Sequence, residues 1–191
     1  MCSRGRAAGV TLIELVVFIV VMGIALVAMM LLFSQFTRAS VDPLIRKQAL
    51  AIASTLLEEV QLQPFTFCDP GDVNVHTATG SPGGGCAVDE VVGVEGGETR
   101  HADPRFDNVS DFDGFAMPAG GIRTINDPTP IAALADYSVS VSVAQIAPGE
   151  LGVAVADVSD ALRIVVSATH QPTNTTVSLQ GYRLRYAPNS P

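Results

Sequence analysis

The chain has 191 residues, enough for one domain plus a membrane anchor, and a formal net charge of -8. This charge disfavours nucleic acid as the main partner, because no lysine follows Lys47 and the later arginines are too dispersed to form a phosphate-binding stripe. The mean hydropathy of +0.35 is high for a soluble protein, but the excess lies mostly in residues 10–33. We therefore expect an apolar N-terminal segment on an otherwise soluble chain.

The apolar segment contains nineteen consecutive uncharged residues, from Leu15 to Phe33. As a helix they would reach ~28 Å, close to the thickness of the bilayer's hydrocarbon core. Arg4 and Arg6 precede them without an acid, so the positive-inside rule predicts a cytoplasmic N-terminus and residues 34–191 across the membrane. The segment is longer than the core of a secretory signal, and no small-x-small cleavage site follows it, which predicts a retained anchor. Near its start stands Glu14, and an ionised carboxylate there calls for a cationic partner.

The residues Gly9-Val10-Thr11-Leu12-Ile13-Glu14, behind a short basic leader, resemble the class III leader of type IV pilins and type II secretion pseudopilins. The resemblance implies that a prepilin peptidase removes residues 1–9 by cutting between Gly9 and Val10, and that it methylates the new amine of Val10. It also implies that Glu14 attracts that amine on a neighbouring subunit, which sets the stagger between subunits more than it adds stability. Val10 departs from the family's usual phenylalanine. The alternative is an incidental glutamate at the edge of a plain anchor.

The next segment, residues 34–63, carries apolar residues at steps of three and four between Ile45 and Val60, which predicts an amphipathic continuation of the helix. Asp42-Pro43 predicts either a kink or a helix restart with Pro43 in the first turn. Gln63-Pro64 is the predicted end. Together with residues 10–33, which form the membrane-spanning and filament-core part, this gives one long N-terminal helix in two halves.

The remaining residues, 64–191, are predicted to form a periplasmic head with loops first and strands last. Up to about residue 135 the chain is rich in Gly, Pro, Asp and Asn, which is typical of long loops. Strict alternation then predicts antiparallel strands around residues 137–143, 162–168 and 177–184, with a hairpin turn at residues 171–175. The amphipathic helix can cover one face of this sheet. The predicted fold class is α+β, and a long helix on an antiparallel meander is the type IV pilin architecture that the leader also implies.

Two cysteines, Cys68 and Cys86, lie beyond the apolar segment, and the third is Cys2. If their compartment is oxidising, Cys68 and Cys86 are a natural disulfide pair that closes a Gly-rich loop. A metal site at these cysteines is disfavoured, because there is no CxxC motif and the three histidines are scattered.

A weak calcium candidate lies between Phe106 and Phe115, where Asp107, Asp111 and Asp113 occur close together beside a glycine. Some pseudopilins of the resembling family use calcium, but the spacing departs from the EF-hand pattern and the closing glutamate is missing. Asp and Asn cap turns more often than they bind calcium, so we expect no metal and no other cofactor. We also expect no enzyme, because the chain has no G-x-S-x-G, H-E-x-x-H or P-loop motif, and His76, His101 and His170 are isolated.

A closer resemblance, to minor pilins of the mannose-sensitive haemagglutinin (MSHA) pilus system, is carried by residues 42–53, 57–60, 63–70 and 181–188 and extends over most of the chain. It implies a low-copy structural subunit held in the bacterial inner membrane until it enters a pilus. The implied partners are other pilin subunits, the prepilin peptidase, the inner-membrane assembly platform and the lipid bilayer. The alternative is a minor pseudopilin of a type II secretion system. An added adhesive role has little support, because the chain has no Trp and three Tyr.

Overall fold

The computed structural model describes residue 9 and residues 11–152 and 160–191, and their fold is α+β. One long helix, α1, spans Leu12–Leu62. Four strands follow it: β1 Ala116–Met117, β2 Tyr137–Gln145, β3 Ala161–His170 and β4 Thr175–Leu184. Short 3-10 turns occupy Ser110–Phe112, Ala132–Leu134 and Gln171–Thr173.

The first turn of α1 is closed by Thr11 and Glu14. Thr11 Oγ1 accepts a hydrogen bond from the backbone N–H of Glu14 at 3.3 Å, and Glu14 Oε2 accepts one from the N–H of Thr11 at 3.4 Å. This reciprocal arrangement is a capping box, which satisfies two backbone donors that a helix start otherwise leaves unpaired. The helix then presents Leu12–Phe33, 22 residues that are long and apolar enough to cross a membrane and are not buried within the chain.

The chain divides into two compact units, Met1–Leu44 and Ile45–Pro191. Helix α1 is continuous through Pro43, so the predicted helix restart at this residue is wrong. Proline lacks the N–H that would bond to the carbonyl four residues earlier, and the helix tolerates the loss of that single bond. The helix ends at Leu62, just before Gln63-Pro64, as the sequence predicts.

The four strands form one antiparallel sheet in the order β1-β2-β3-β4. The β2–β3 register pairs Val141 with Val166, and the β3–β4 register pairs Val166 with Leu179. At the β3–β4 hairpin, Asn174 adopts the left-handed conformation with φ of 51°, which asparagine tolerates better than most residues. The predicted strands and hairpin are therefore confirmed, whereas the two-residue strand β1 was not predicted because its segment carries no alternation.

The core of the unit Ile45–Pro191 lies between the apolar face of α1 and one face of the sheet. At Gly181, on β4, an added Cβ would overlap the side chain of Gln61 and come within 3.1 Å of Leu57 Cδ1, so glycine allows the strand to approach the helix closely. The fully or nearly fully buried members of this core include Ala49, Ala53, Leu56, Val60, Val109, Phe112, Val139, Val143, Leu162, Ile164 and Val166.

A second, smaller core surrounds the disulfide between Cys68 and Cys86. Cys68 is fully buried, and Val75 and Ala78 pack with it. The bridge spans a sequence separation of 18 residues and includes the Gly-rich segment that has no regular structure of its own. The disulfide predicted between Cys68 and Cys86 is thus confirmed.

Removing this bridge should destabilise the unit Ile45–Pro191. The variant with both Cys68→Ala and Cys86→Ala is expected to lose about 3 kcal/mol, the chain-entropy value for a loop of this length. For a domain of this size the loss corresponds to a fall in Tm of roughly 6–12 °C in a calorimetric scan. Dithiothreitol should bring the wild type down to the variant's Tm and leave the variant unchanged. A fall of less than about 2 °C would contradict a stabilising role for the bridge.

Candidate functional site

The N-terminal candidate site is the segment around the predicted cleavage position. Gly9 is exposed and precedes α1, whereas Val10, predicted as the new N-terminus and methylation site, lies outside the described residues, as do residues 1–8 of the predicted leader. Glu14 is exposed in the first turn of the helix. The side chains of Leu12–Phe33 are all exposed, and these residues form a predominantly apolar surface around Glu14.

Glu14 has a local partner that sequence reasoning missed. Its Oε2 lies 3.4 Å from both the backbone nitrogen and Oγ1 of Thr11. The signal was present in the sequence, since Thr-x-x-Glu before an apolar run is the capping-box pattern. The carboxylate can therefore cap the first turn of the helix in the free subunit and still form an ion pair with an amine. These two roles require different properties of the side chain, because capping needs an acceptor oxygen and pairing needs the negative charge.

A second candidate site is an acidic cluster in the loops between α1 and the sheet. Glu98, Asp107 and Asp111 each place a carboxylate oxygen within 4.8 Å of the others. Asp111 is 1% exposed, and its Oδ2 accepts hydrogen bonds from the N–H groups of Asp107 at 3.0 Å and Asn108 at 2.7 Å. Glu98 Oε2 is buried without a hydrogen-bond partner among the described residues. No cation within the described chain neutralises this cluster through an ion pair.

Ionising these carboxyl groups is unfavourable, because they are partly buried and repel one another. Burial, followed by the nearby charges of Asp111 and Asp107, raises the pKa of Glu98 to about 8. Burial also raises the pKa of Asp107, to about 6, and that of Asp111. The proximity of the two carboxyl groups contributes to the raised pKa of Glu98, because a proton on one of them removes a like charge beside the other. A proton thus relieves part of the repulsion between these carboxylates.

Glu90 extends the acidic region on the other side of Asp111. Ser110 Oγ donates to Glu90 Oε1 at 2.6 Å and lies 3.1 Å from Asn108 Oδ1. Burial raises the pKa of Glu90 to about 8, and the Ser110 hydrogen bond only partly opposes that rise. The buried network therefore carries a second carboxyl group that is protonated at neutral pH.

The structure changes the membership of the predicted calcium candidate. It brings Asp107 and Asp111 together, but places Asp113 outside the cluster, where its Oδ1 accepts a hydrogen bond from the N–H of Val143 at 2.8 Å. Glu98 takes its place, although it lies nine residues before Asp107 and only the fold reveals it. The three carboxylates are of the oxygen chemistry that Ca²⁺ accepts.

The raised pKa values predict that stability falls as pH rises from about 5 to about 8. In the unfolded chain Glu90 and Glu98 lose their protons near their ordinary pKa of 4.5, whereas in the folded chain they keep them to about 8. Unfolding in this window releases protons, so raising the pH favours it. Acids with lowered pKa values, such as Asp72, lose their stabilising contribution only below this window. Thermal melts at pH 5 and pH 8 should show the lower Tm at pH 8.

If the cluster takes a divalent cation in place of its proton, millimolar Ca²⁺ should raise the Tm at pH 8 and do little at pH 5, because protons compete there. Glu98→Gln should remove the Ca²⁺ effect and reduce the fall in Tm between the two pH values. Asp103→Asn, which changes an exposed acid outside the cluster, should leave both unchanged. Melts that are insensitive to Ca²⁺ and to a chelator at pH 8 would show that the cluster is a proton site only.

No family model, curated protein or solved structure matches this chain. The residues of the two candidate sites are accordingly the basis for a functional proposal. The N-terminal segment offers a carboxyl group in the first turn of an exposed apolar helix, which is suited to assembly. The acidic cluster offers a place for a proton or a cation that stabilises the loops of the unit Ile45–Pro191.

Proposed function

We propose that this chain is a minor pilin-like structural subunit, cut by a prepilin peptidase after Gly9 and assembled into, or priming, an MSHA-like type IV pilus. The observation that carries the proposal is the exposed apolar surface of Leu12–Phe33, which starts directly behind Gly9 and carries Glu14 in its first turn. A helix that is apolar all round is suited to lipid and to a bundle of identical helices. The same surface can therefore leave the bilayer for a filament core.

Cleavage after Gly9 would provide a cationic partner for Glu14. Removing residues 1–9 creates an ammonium at Val10, the cation that a carboxylate in an apolar environment requires. A charge pair between neighbouring subunits would fix their stagger, since either charge left alone in the filament core is costly. The subunit is expected in the inner membrane with its N-terminus in the cytoplasm and the unit Ile45–Pro191 in the periplasm. Its partners are major and minor pilins, the peptidase and the assembly platform.

The architecture of the unit Ile45–Pro191 supports this proposal. The C-terminal part of α1 packs against an antiparallel sheet with strands in sequence order, which agrees with a long helix on a meander. Within this class we propose that the chain is a D-type minor pilin of the MSHA system, on the sequence blocks that carry the resemblance. The role is structural, and it needs no cofactor and no catalytic residue.

Mass spectrometry of the protein from cells with and without the prepilin peptidase tests the proposal. With the peptidase, the mature chain should begin at Val10 and carry one methyl group on its amine. Without the peptidase, residues 1–9 should remain. Gly9→Leu should give the uncut form in the presence of the enzyme. A mature N-terminus at any other residue would contradict the proposal.

A minor pseudopilin of a type II secretion system is the second candidate, and the Glu98, Asp107 and Asp111 cluster favours it. Some pseudopilins use calcium, and these three carboxylates are the group in the described chain that could hold it. Deleting the gene separates the two functions. Loss of surface pili with normal secretion of exoproteins is expected for a minor pilin, whereas the reverse result would assign the chain to the secretion system.

A further inference from the structure

A cavity of about 450 Å³ lies between the helix and the loop that follows β1. Ala51, Ile52 and Thr55 of α1 form one wall, and Ile122, Ile131 and Leu134 contribute to the other. Its size falls in the range of roughly 300–1,000 Å³ that is typical of small-molecule sites, and most of its wall is apolar. All of these residues belong to the unit Ile45–Pro191.

Arg123 lines this cavity, and it forms no ion pair with a carboxylate among the described residues. Its hydrogen bond from Nη1 to the carbonyl oxygen of Pro128 is long, at 3.5 Å, and its buried Nε has no acceptor in the described chain. Unsatisfied donors of a partly buried guanidinium are costly, and its planar fork matches the oxygens of a carboxylate. Arg123 is thus a positively charged residue without a neutralising ion pair among the described residues of a chain whose net charge is -8.

The groups around Arg123 leave its charge uncompensated. Arg100 also lines the cavity, but Glu59 neutralises it through two hydrogen bonds of 2.6 and 2.7 Å. His101 is the next neighbour, and burial, then Arg123, then Arg100, lower its pKa, so the imidazole stays neutral and supplies no negative charge. The carboxylate of Glu59 is therefore committed to Arg100, and Arg123 lines the cavity without an ion-pair partner in the described part of the chain.

We propose that this cavity binds a medium-chain acyl carboxylate, with the carboxylate on Arg123 and the acyl chain between α1 and Ile122, Ile131 and Leu134. Both parts of the ligand follow from the site. The planar guanidinium matches a carboxylate through paired hydrogen bonds, and the apolar walls match a hydrocarbon chain that leaves water. The proposal concerns the unit Ile45–Pro191 and does not depend on whether the chain enters a pilus.

A photoreactive probe tests the proposal on the full chain, purified in a neutral maltoside detergent that carries no carboxylate. The probe is decanoic acid with a diazirine on its chain, and mass spectrometry identifies the labelled peptides. Labelling is expected in the helix around Ala51–Thr55 and in the segment 122–134. Unlabelled decanoate should compete for these peptides, while labelling of the apolar segment Leu12–Phe33 reports nonspecific partition in every sample.

Three variants distinguish the contribution of the Arg123 charge to binding from that of the apolar cavity. Arg123→Gln should raise the concentration of decanoate needed for half competition by about tenfold or more, the loss expected for one charge-assisted pair. Ala51→Leu, which fills the cavity and keeps Arg123, should weaken labelling similarly, while Arg105→Gln, an exposed arginine outside the cavity, should have no effect. Circular dichroism checks that each variant is folded.

Two results would overturn the proposal. The first is labelling of the cavity peptides that decanoate cannot displace or that Arg123→Gln leaves unchanged, because the charge would then play no part. The second is equal labelling by the methyl ester of the probe, which has the acyl chain without the carboxylate. Binding of a peptide with a carboxyl-terminal apolar segment, but not of decanoate, would reassign the cavity to a protein partner.

Discussion

Replacing Arg100 with methionine is expected to destabilise the unit Ile45–Pro191 by about 3–5 kcal/mol, the cost of removing one partner of a buried ion pair. Arg100 is 6% exposed, and its Nε and Nη2 donate to the two carboxylate oxygens of Glu59. Its Nη1 donates to the carbonyl oxygen of Arg123 at 3.1 Å, and the guanidinium carbon lies 5.7 Å from the centre of the Phe115 ring. Methionine keeps the length and loses every donor, which leaves Glu59 charged and unpaired. Urea denaturation measures the change.

The chain supplies its own control for this prediction. Arg163 pairs with Glu150 at 3.1 Å, but the Arg163 side chain is 39% exposed, so water can replace the partner. Arg163→Met should cost less than about 1 kcal/mol. The double variant Glu59→Gln with Arg100→Met should recover part of the loss of Arg100→Met alone, because no buried charge remains. Equal costs at Arg100 and Arg163 would contradict the role given to burial.

The elements that could be predicted from the sequence are those whose buried apolar residues recur at the spacing of a helix or a strand. Ile45, Ala49, Ala53 and Val60 repeat at the spacing of a helix and all lie in the core. Along β2, Tyr137, Val139, Val141 and Val143 alternate with exposed or half-buried residues, as their pattern predicts. In both cases one apolar face packs against another, so the pattern along the chain carries the information. The antiparallel pairing of β3 with β4 then follows from the short hairpin between them.

The contacts that sequence analysis missed join residues through loops without a period. Arg100 reaches Glu59 across 41 positions, and Glu98 meets Asp107 and Asp111 because the intervening residues 99–106 turn back on themselves. Asp113 is the reverse case, because it is near the acidic residues in sequence but bonds to the backbone of β2. Pairings of this kind depend on loop geometry, which composition does not specify. The disulfide is the exception, because Cys68 and Cys86 are the two cysteines beyond the apolar segment and two cysteines can pair in one way.

Replacing Glu14 with glutamine is expected to lower the incorporation of this subunit into pili at least tenfold. In the proposed filament core, Glu14 neutralises the ammonium at Val10 of a neighbour, and a charge left alone in an apolar environment costs roughly 2.5–3.5 kcal/mol. Glutamine removes the charge but keeps an acceptor oxygen for the N–H of Thr11, so the capping box survives. Immunoblots of sheared pili, normalised to the membrane-bound pool, measure incorporation. Glu58→Gln, an exposed glutamate on the same helix, serves as the matched control.

A second pair of variants distinguishes the capping role of Glu14 from the role of its charge. Thr11→Ala removes the hydroxyl that caps the helix and leaves the Glu14 charge, so incorporation should remain close to that of the wild type, with at most about 1 kcal/mol lost from the helix start. Glu14→Ala removes both functions and should resemble Glu14→Gln. If Thr11→Ala abolished incorporation and Glu14→Gln did not, Glu14 would act by starting the helix. The resemblance to a pilin leader would then reflect helix capping, and the charge pair between subunits would have to be abandoned.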